Sequence, residues 1–232
     1  MLEFEITTYC QAKCALCART NAKTLKKESW LRLQHLALDD YKNALDQIKL
    51  KKEIDFKSIS TIELCGDYGD PAMHPQVEEF IDYAVENNYS VFLHTNGGIR
   101  GKDWYEKIAK KYKNDDVVVI FGIDGLDAET NSKYRSGVNF DSAWENMMTY
   151  AKNTKYRTAW HFIIFDFNYD QLETAYLIAK AHNIHFKPYV NKRLSNFYDR
   201  IIKDSTLKMQ LEERCNQIGF ESYVARTKDS NQ

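Results

Sequence analysis

Leu2-Glu3-Phe4-Glu5-Ile6-Thr7-Thr8-Tyr9-Cys10-Gln11-Ala12-Lys13-Cys14-Ala15-Leu16-Cys17 sets three cysteines, spaced Cys-x3-Cys-x2-Cys, immediately after an apolar run that reads as a strand. A closed structural zinc site takes four protein ligands, and a cubane iron-sulfur cluster likewise has four corners. Three thiolates on one loop fall one ligand short. The open corner of a cluster held this way is where chemistry can occur.

Outward from that loop, apolar runs at 59–65, 89–95, 117–123, 158–165 and 184–189 join the run at 2–8 as candidate strands. Helical patterns at about 39–52, 75–88, 102–113, 140–153 and 169–182 lie between them. Strands alternating with helices predict a parallel sheet with helical crossovers. The runs Val117 to Phe121 and Phe162 to Phe165 are nearly all apolar, as expected of strands covered on both faces. Six repeats are too few to close an eight-stranded barrel. The expected architecture is therefore α/β, an open partial (β/α)6 TIM barrel, with its ligand site at the carboxyl ends of the strands. Residues 1–190 form the expected core domain, and 191–232 a C-terminal extension with a helix around 199–217 ended by Gly219 and a polar tail from Thr227 to Gln232.

Composition narrows the function. A chain of 232 residues that is 44% hydrophobic, with few Pro and Gly, can bury one substantial core. A net charge of −1 supplies no broad positive field, which argues against nucleic acid as a partner. No apolar run is long enough to cross a bilayer and no signal peptide precedes the motif, so no membrane association and a cytoplasmic location are expected. The five cysteines are an odd number, and Cys65 and Cys215 stand alone, which argues against a disulfide framework. Half of a zinc site, completed by His35 or His74 in a non-catalytic metal-binding module, remains the alternative reading of the trio.

The cysteine loop and its setting resemble the radical S-adenosylmethionine (SAM) superfamily. That resemblance implies a [4Fe-4S] cluster on Cys10, Cys14 and Cys17, with SAM chelating the fourth iron. It implies reductive cleavage of SAM to methionine and a 5′-deoxyadenosyl radical, fed by an external donor such as flavodoxin or ferredoxin. Leu16 takes the position, more often aromatic, that lies against the adenine. Gly69-Asp70-Pro71 is similar to the Gly-Glu-Pro segment whose carbonyls receive the SAM ammonium group, with Asp in place of Glu; as an isolated heptapeptide the stretch from Cys65 also reads as an ordinary turn.

Further motifs resemble those of the branch that matures peptides and proteins. Thr95-Asn96-Gly97 ends the third strand there, where Asn96 either bonds a ligand or caps the loop. Gly122-Ile123-Asp124-Gly125 is similar to Ser-Ile-Asp-Gly, with Gly122 removing a hydroxyl and Asp124 offering a carboxylate to a ribose hydroxyl or to substrate. Arg135, in the Arg-x-Gly of Tyr134-Arg135-Ser136-Gly137, would grip the SAM carboxylate; a surface arginine is the plain alternative. Phe162 to Phe165 are candidates to pack the adenine, and Asp166, Asn168, Lys187 and Tyr189 are candidates for the substrate pocket. His94 reads more readily as a core histidine. Members of this branch often carry cysteine-rich SPASM or twitch-like extensions for auxiliary clusters; Cys215 alone cannot hold one, so a single cluster is expected. The implied reaction is hydrogen abstraction from a peptide or protein side chain, with a small metabolite, nucleotide or sugar as the alternative substrate and a glycyl-radical activase as a third class.

Overall fold

The computed structural model describes residues 1–50 and 59–190, together with scattered positions between 204 and 216. Twelve elements follow in order: β1 (Leu2–Phe4), α1 (Leu38–Leu50), β2 (Thr61–Leu64), α2 (Val77–Glu86), β3 (Ser90–Thr95), α3 (Lys102–Lys111), β4 (Val117–Gly122), α4 (Ala128–Ser132), α5 (Phe140–Asn153), β5 (Thr158–Ile164), α6 (Leu172–Ala181) and β6 (His185–Val190). The strands form one six-stranded sheet in sequential order, every pair parallel, with β1 and β6 at its two edges. This is the expected open (β/α)6 arrangement, not closed into a barrel.

Strand side chains alternate between faces, and here the two faces differ in chemistry. One carries Ile62, Leu64, Val91, Leu93, Val119, Phe121, Trp160 and Phe162, all fully buried and laid in register across the sheet, Leu64 beside Leu93 and Leu93 beside Val119. Phe80, Ile81, Tyr105, Ile108, Met147 and Tyr150 from α2, α3 and α5 complete that core. Trp160 is the largest side chain in it, and its indole nitrogen donates to the Ile123 carbonyl at 2.7 Å, so even this buried polar atom has a partner.

The opposite face carries Glu63, His94, Gly122, His161 and Tyr189, which line a cavity. The apolar runs in β4 and β5 led to an expectation of cover on both faces. Those runs are largely buried, Phe162 to Phe165 throughout, while His161, the residue before the second run, lines the cavity.

Two further differences have local causes. The run at 2–8 stays in the sheet only to Phe4; beyond it the chain pairs with the segment before α1, Leu36 N donating to Ile6 O at 2.8 Å and Thr8 N to Gln34 O at 3.0 Å. The short helix α4, unforeseen because five residues show no periodicity, is held by Asp127, whose carboxylate accepts from Thr130 N at 2.7 Å. The expected extension, with Gly219, Cys215 and the tail, lies largely outside the described residues, although described positions within 199–217, such as Met209 and Glu212, are helical.

Candidate functional site

At the carboxyl ends of the strands, loops from four repeats enclose a cavity of about 470 Å³ that includes Cys10, Cys14 and Cys17. The cysteine loop is clamped by Arg19, which is only 7% exposed and also borders the cavity. Its guanidinium donates to the carbonyls of Cys10 at 3.1 Å, Ala12 at 3.0 Å, Thr8 at 3.3 Å and Tyr68 at 3.0 Å. One planar cation thus ties the loop to itself and to the loop after β2. Leu16 is partly buried against the core and is not part of the cavity wall.

The loop after β2 packs directly on this one. A Cβ on Gly69 would come within 2.0 Å of the Thr7 carbonyl oxygen, so only glycine fits there. Asp70 follows, 3% exposed, and its carboxylate is used internally: one oxygen accepts from Ala72 N at 3.0 Å, the other from Thr95 Oγ1 at 3.1 Å and Asn96 N at 2.8 Å. Asp70 therefore joins the ends of β2 and β3, while Pro71 is buried as the first residue of a short turn.

At the end of β3, Asn96 and Gln11 form a reciprocal amide pair, Gln11 Nε2 donating to Asn96 Oδ1 at 2.6 Å and Asn96 Nδ2 to Gln11 Oε1 at 3.2 Å. Asn96 Nδ2 also lies 3.6 Å from Cys10 Sγ. Gln11 has no motif to mark it; only the folded loop brings it to Asn96.

Asp124 and Arg135 meet after β4. Arg135 Nε donates to Asp124 Oδ2 at 2.6 Å, and Asp124 Oδ1 accepts from Ile163 N at 2.6 Å. Asp124 is fully buried, so the structure turns it toward protein, away from the ribose or substrate role expected of it. Burial raises its pKa, and the guanidinium opposes that rise. A Cβ on Gly122 would lie 2.7 Å from Arg135 Nη2, so glycine here, in place of the serine of the resembling motif, makes room for the guanidinium.

Farther down the cavity, Glu63 accepts a hydrogen bond from His94 Nε2, His161 stands edge-on to His94 with ring centroids 5.5 Å apart, and Tyr189 stands edge-on to His161 at 5.6 Å. His94 is thus a cavity residue and not a core one. Its hydrogen bond holds the Glu63 carboxyl below its usual pKa. Of the other candidates, Ile163 alone of the Phe162 to Phe165 run lines the cavity, and Lys187 does not. Asn168 is fully buried, its amide bonded to the Asp124 and Ile163 carbonyls at 2.9 Å each and to Phe165 N at 2.7 Å. Asp166 is exposed.

Burial, with the positive neighbours His94, Lys187 and Arg135, holds the pKa of His161 down to about 3. The unfolded chain protonates this imidazole below about 6.5, whereas the folded one does not until much lower pH. Stability is therefore complete above about pH 6.5 and falls as pH drops from there, by up to about 1.4 kcal/mol per pH unit from this group. His74 and His185, also lowered by burial, add slope of the same sign. Urea unfolding of wild type and His161→Gln at pH 5, 6 and 7 checks this: the slope should be shallower in the variant, and equal slopes would exclude the assignment.

Among the described residues no three His, Cys, Asp or Glu side chains surround one metal-ion position. A cubane does not need that, because each thiolate binds a different iron. Burial pushes the Cys10 thiol up to about 12, with Asp70 adding to the rise, and raises Cys14 as well. Only a strongly positive group would ionise such thiols. Three cysteines on one clamped loop, facing one cavity and free of disulfides, are a donor set that fits a cluster.

The family model described as the radical SAM superfamily matches residues 4–178. The chain belongs to the radical SAM superfamily. Membership of this superfamily of enzymes brings a [4Fe-4S] cluster and SAM as cofactors. Comparison with curated proteins gives no match.

Among solved structures, this radical SAM chain is similar to Streptococcus suis SuiB bound to precursor peptide SuiA, with 15% identity and a TM-score of 0.68 over 95% of this chain and 47% of that one. It spans about half the length of SuiB. TYW1 with a lysine-pyruvate adduct bound (18% identity, TM-score 0.51, 91% and 70% covered) and methylornithine synthase PylB (13%, 0.54, 81% and 52%) share the fold as well. Among the described residues no helix is long and apolar enough to cross a membrane.

Proposed function

We propose that the protein is a radical SAM enzyme that abstracts a hydrogen atom from a peptide or protein side chain. The observation that carries this reading is the opening of Cys10, Cys14 and Cys17 onto the same cavity as Asn96 and Arg135. When bound, the reduced cluster would supply the one electron that cleaves the sulfonium of SAM to methionine and a 5′-deoxyadenosyl radical. Cys10, Cys14 and Cys17 hold the cluster, and Arg19 keeps their loop in shape. Backbone carbonyls around Gly69, Asp70 and Pro71 receive the SAM ammonium group. Arg135 meets the carboxylate: its Nε is taken by Asp124, and among the described residues both Nη groups lack an acceptor, which leaves a two-pronged donor for an anion. Asp124 holds that guanidinium in place, Asn96 stands beside the cofactors, Leu16 packs from the cysteine loop against the core, and His94, His161 and Tyr189 face the substrate.

A peptide substrate is supported by the resemblance of Thr95-Asn96-Gly97 and Gly122-Ile123-Asp124-Gly125 to the peptide-maturing branch, and by the shared fold with SuiB, whose structure holds a precursor peptide. The electron comes from an external donor such as flavodoxin or ferredoxin, in the reducing cytoplasm. Strong reductant and SAM alone test the core of the proposal: wild-type protein should slowly release methionine and 5′-deoxyadenosine in equal amounts. No deoxyadenosine from protein with a full cluster and bound SAM would leave a SAM-binding protein without this chemistry. With the true substrate, cleavage should accelerate because the reacting groups are held in place.

A further inference from the structure

We propose that Asn96, held by Gln11, raises the reduction potential of the cluster by donating a hydrogen bond from its side-chain nitrogen to the Cys10 sulfur. This rests on the assignment of Cys10 as a cluster ligand. The two ends of an asparagine amide differ only in what they bond, so the neighbours decide its orientation. Gly98 N lies 2.9 Å from one end, and a backbone N–H can only donate, which makes that end the oxygen. Gln11 Nε2, at 2.6 Å, donates to the same oxygen. The other end is therefore the nitrogen, and it faces Cys10 Sγ at 3.6 Å and Gln11 Oε1 at 3.2 Å. Asp70 fixes the backbone nitrogen of the same residue at 2.8 Å. Asn96 is 5% exposed, so the amide points at sulfur from a fixed, nearly dry position.

Cys10 makes two side-chain contacts of opposite sense. As a thiol it can donate to Gln11 Oε1 at 3.8 Å, a bond that ends when the proton leaves. The bond from Asn96 survives ligation and strengthens, since its acceptor has become a charged thiolate. Adding an electron to a cluster increases the negative charge on its sulfurs, so a donor aimed at one of them stabilises the reduced form more than the oxidised one. Low dielectric around a buried amide enlarges that difference. Asn96 is on this account a positioning residue: it acts through Cys10.

The test is a redox titration of reconstituted protein without SAM, followed by the EPR signal of the reduced cluster, with iron content measured alongside. Asn96→Asp keeps the acceptor for Gly98 and Gln11 but replaces the donor by an oxygen. Poised at the wild-type midpoint, Asn96→Asp should hold about tenfold less reduced cluster relative to oxidised, a lowering of about 59 mV for one electron. Asn96→Ser, too short to reach Cys10, should move the same way by less. An unchanged or raised midpoint in both variants with full iron content overturns the proposal. So does loss of the cluster in both, since Asn96 would then serve assembly and not potential. Absence of a cluster from reconstituted wild type would be distinguishable from either, because it removes the assignment of Cys10 on which the inference stands.

Discussion

Replacing Cys10, Cys14 and Cys17 together by alanine should empty the protein of its brown chromophore, taking reconstituted iron from about four atoms per chain to none, and should abolish deoxyadenosine formation. Cys65→Ala should change neither, although Cys65 also borders the cavity. The difference lies in which loop carries each sulfur. Cys65 Sγ lies 3.7 Å from both the Phe4 carbonyl and the Glu5 carboxylate, and burial beside Glu5 and Glu3 pushes its pKa up to about 12. A raised pKa does not set Cys65 apart, because Cys10 is raised as far; its place at the end of β2, on a different loop, does. The other three share one loop whose carbonyls are gathered by Arg19, so their spacing persists without a metal. Because Arg19 holds the backbone, the triple variant should still fold, and unchanged circular dichroism with no iron is the expected pair of results. Iron retained in the triple variant, or lost in Cys65→Ala, would move the cluster elsewhere or replace it by another metal site.

The fold was legible because it rests on local periodicity. Apolar runs separated by helical patterns predict parallel strands regardless of partner, and β2 to β6 fall within two or three residues of where those runs stand. Where periodicity was absent or its end ambiguous, reading failed: α4 is too short to show a repeat, and the run at 2–8 gives no hint that Ile6 and Thr8 pair with Leu36 and Gln34 in place of the sheet. The cysteines were legible as a motif. Their supports were not, since Arg19, Gln11 and the Glu63 to His94 pair depend on contacts between residues up to 85 positions apart. No single-sequence pattern records which strand face turns to a cavity, so His94 read as a core histidine and nothing marked His161. Gly122 is the instructive case. Its departure from the resembling motif reads as a lost hydroxyl, yet the space it leaves is filled by Arg135.

That pairing carries the second large effect. Asp124 is fully buried, and Arg135 is its charge partner at 2.6 Å, lying also over the Tyr134 ring with its guanidinium carbon 5.2 Å from the centroid. Removing Arg135 leaves the Asp124 charge buried and unpaired, and removing Asp124 leaves a largely buried guanidinium without its anion, at a cost of up to about 3–5 kcal/mol. Asp124→Ala and Arg135→Ala should each lower the unfolding free energy by about that amount. The double variant should lose clearly less than the sum, because neither charge is stranded in it. The proposed SAM contact separates the two residues. Arg135→Ala removes the group that meets the SAM carboxylate and should weaken binding by about 2 kcal/mol at a temperature where the variant is folded. Asp124→Ala leaves the guanidinium present but loose, so its SAM affinity should fall by less while its stability falls as far. Gly122→Ser should mimic Asp124→Ala in binding, since its Cβ would displace the guanidinium from the position that Asp124 sets. Calorimetry of SAM binding together with urea unfolding reads both quantities. Equal SAM affinity in wild type and Arg135→Ala would confine the pair to a structural role, and additive losses in the double variant would mean that the two charges do not depend on each other.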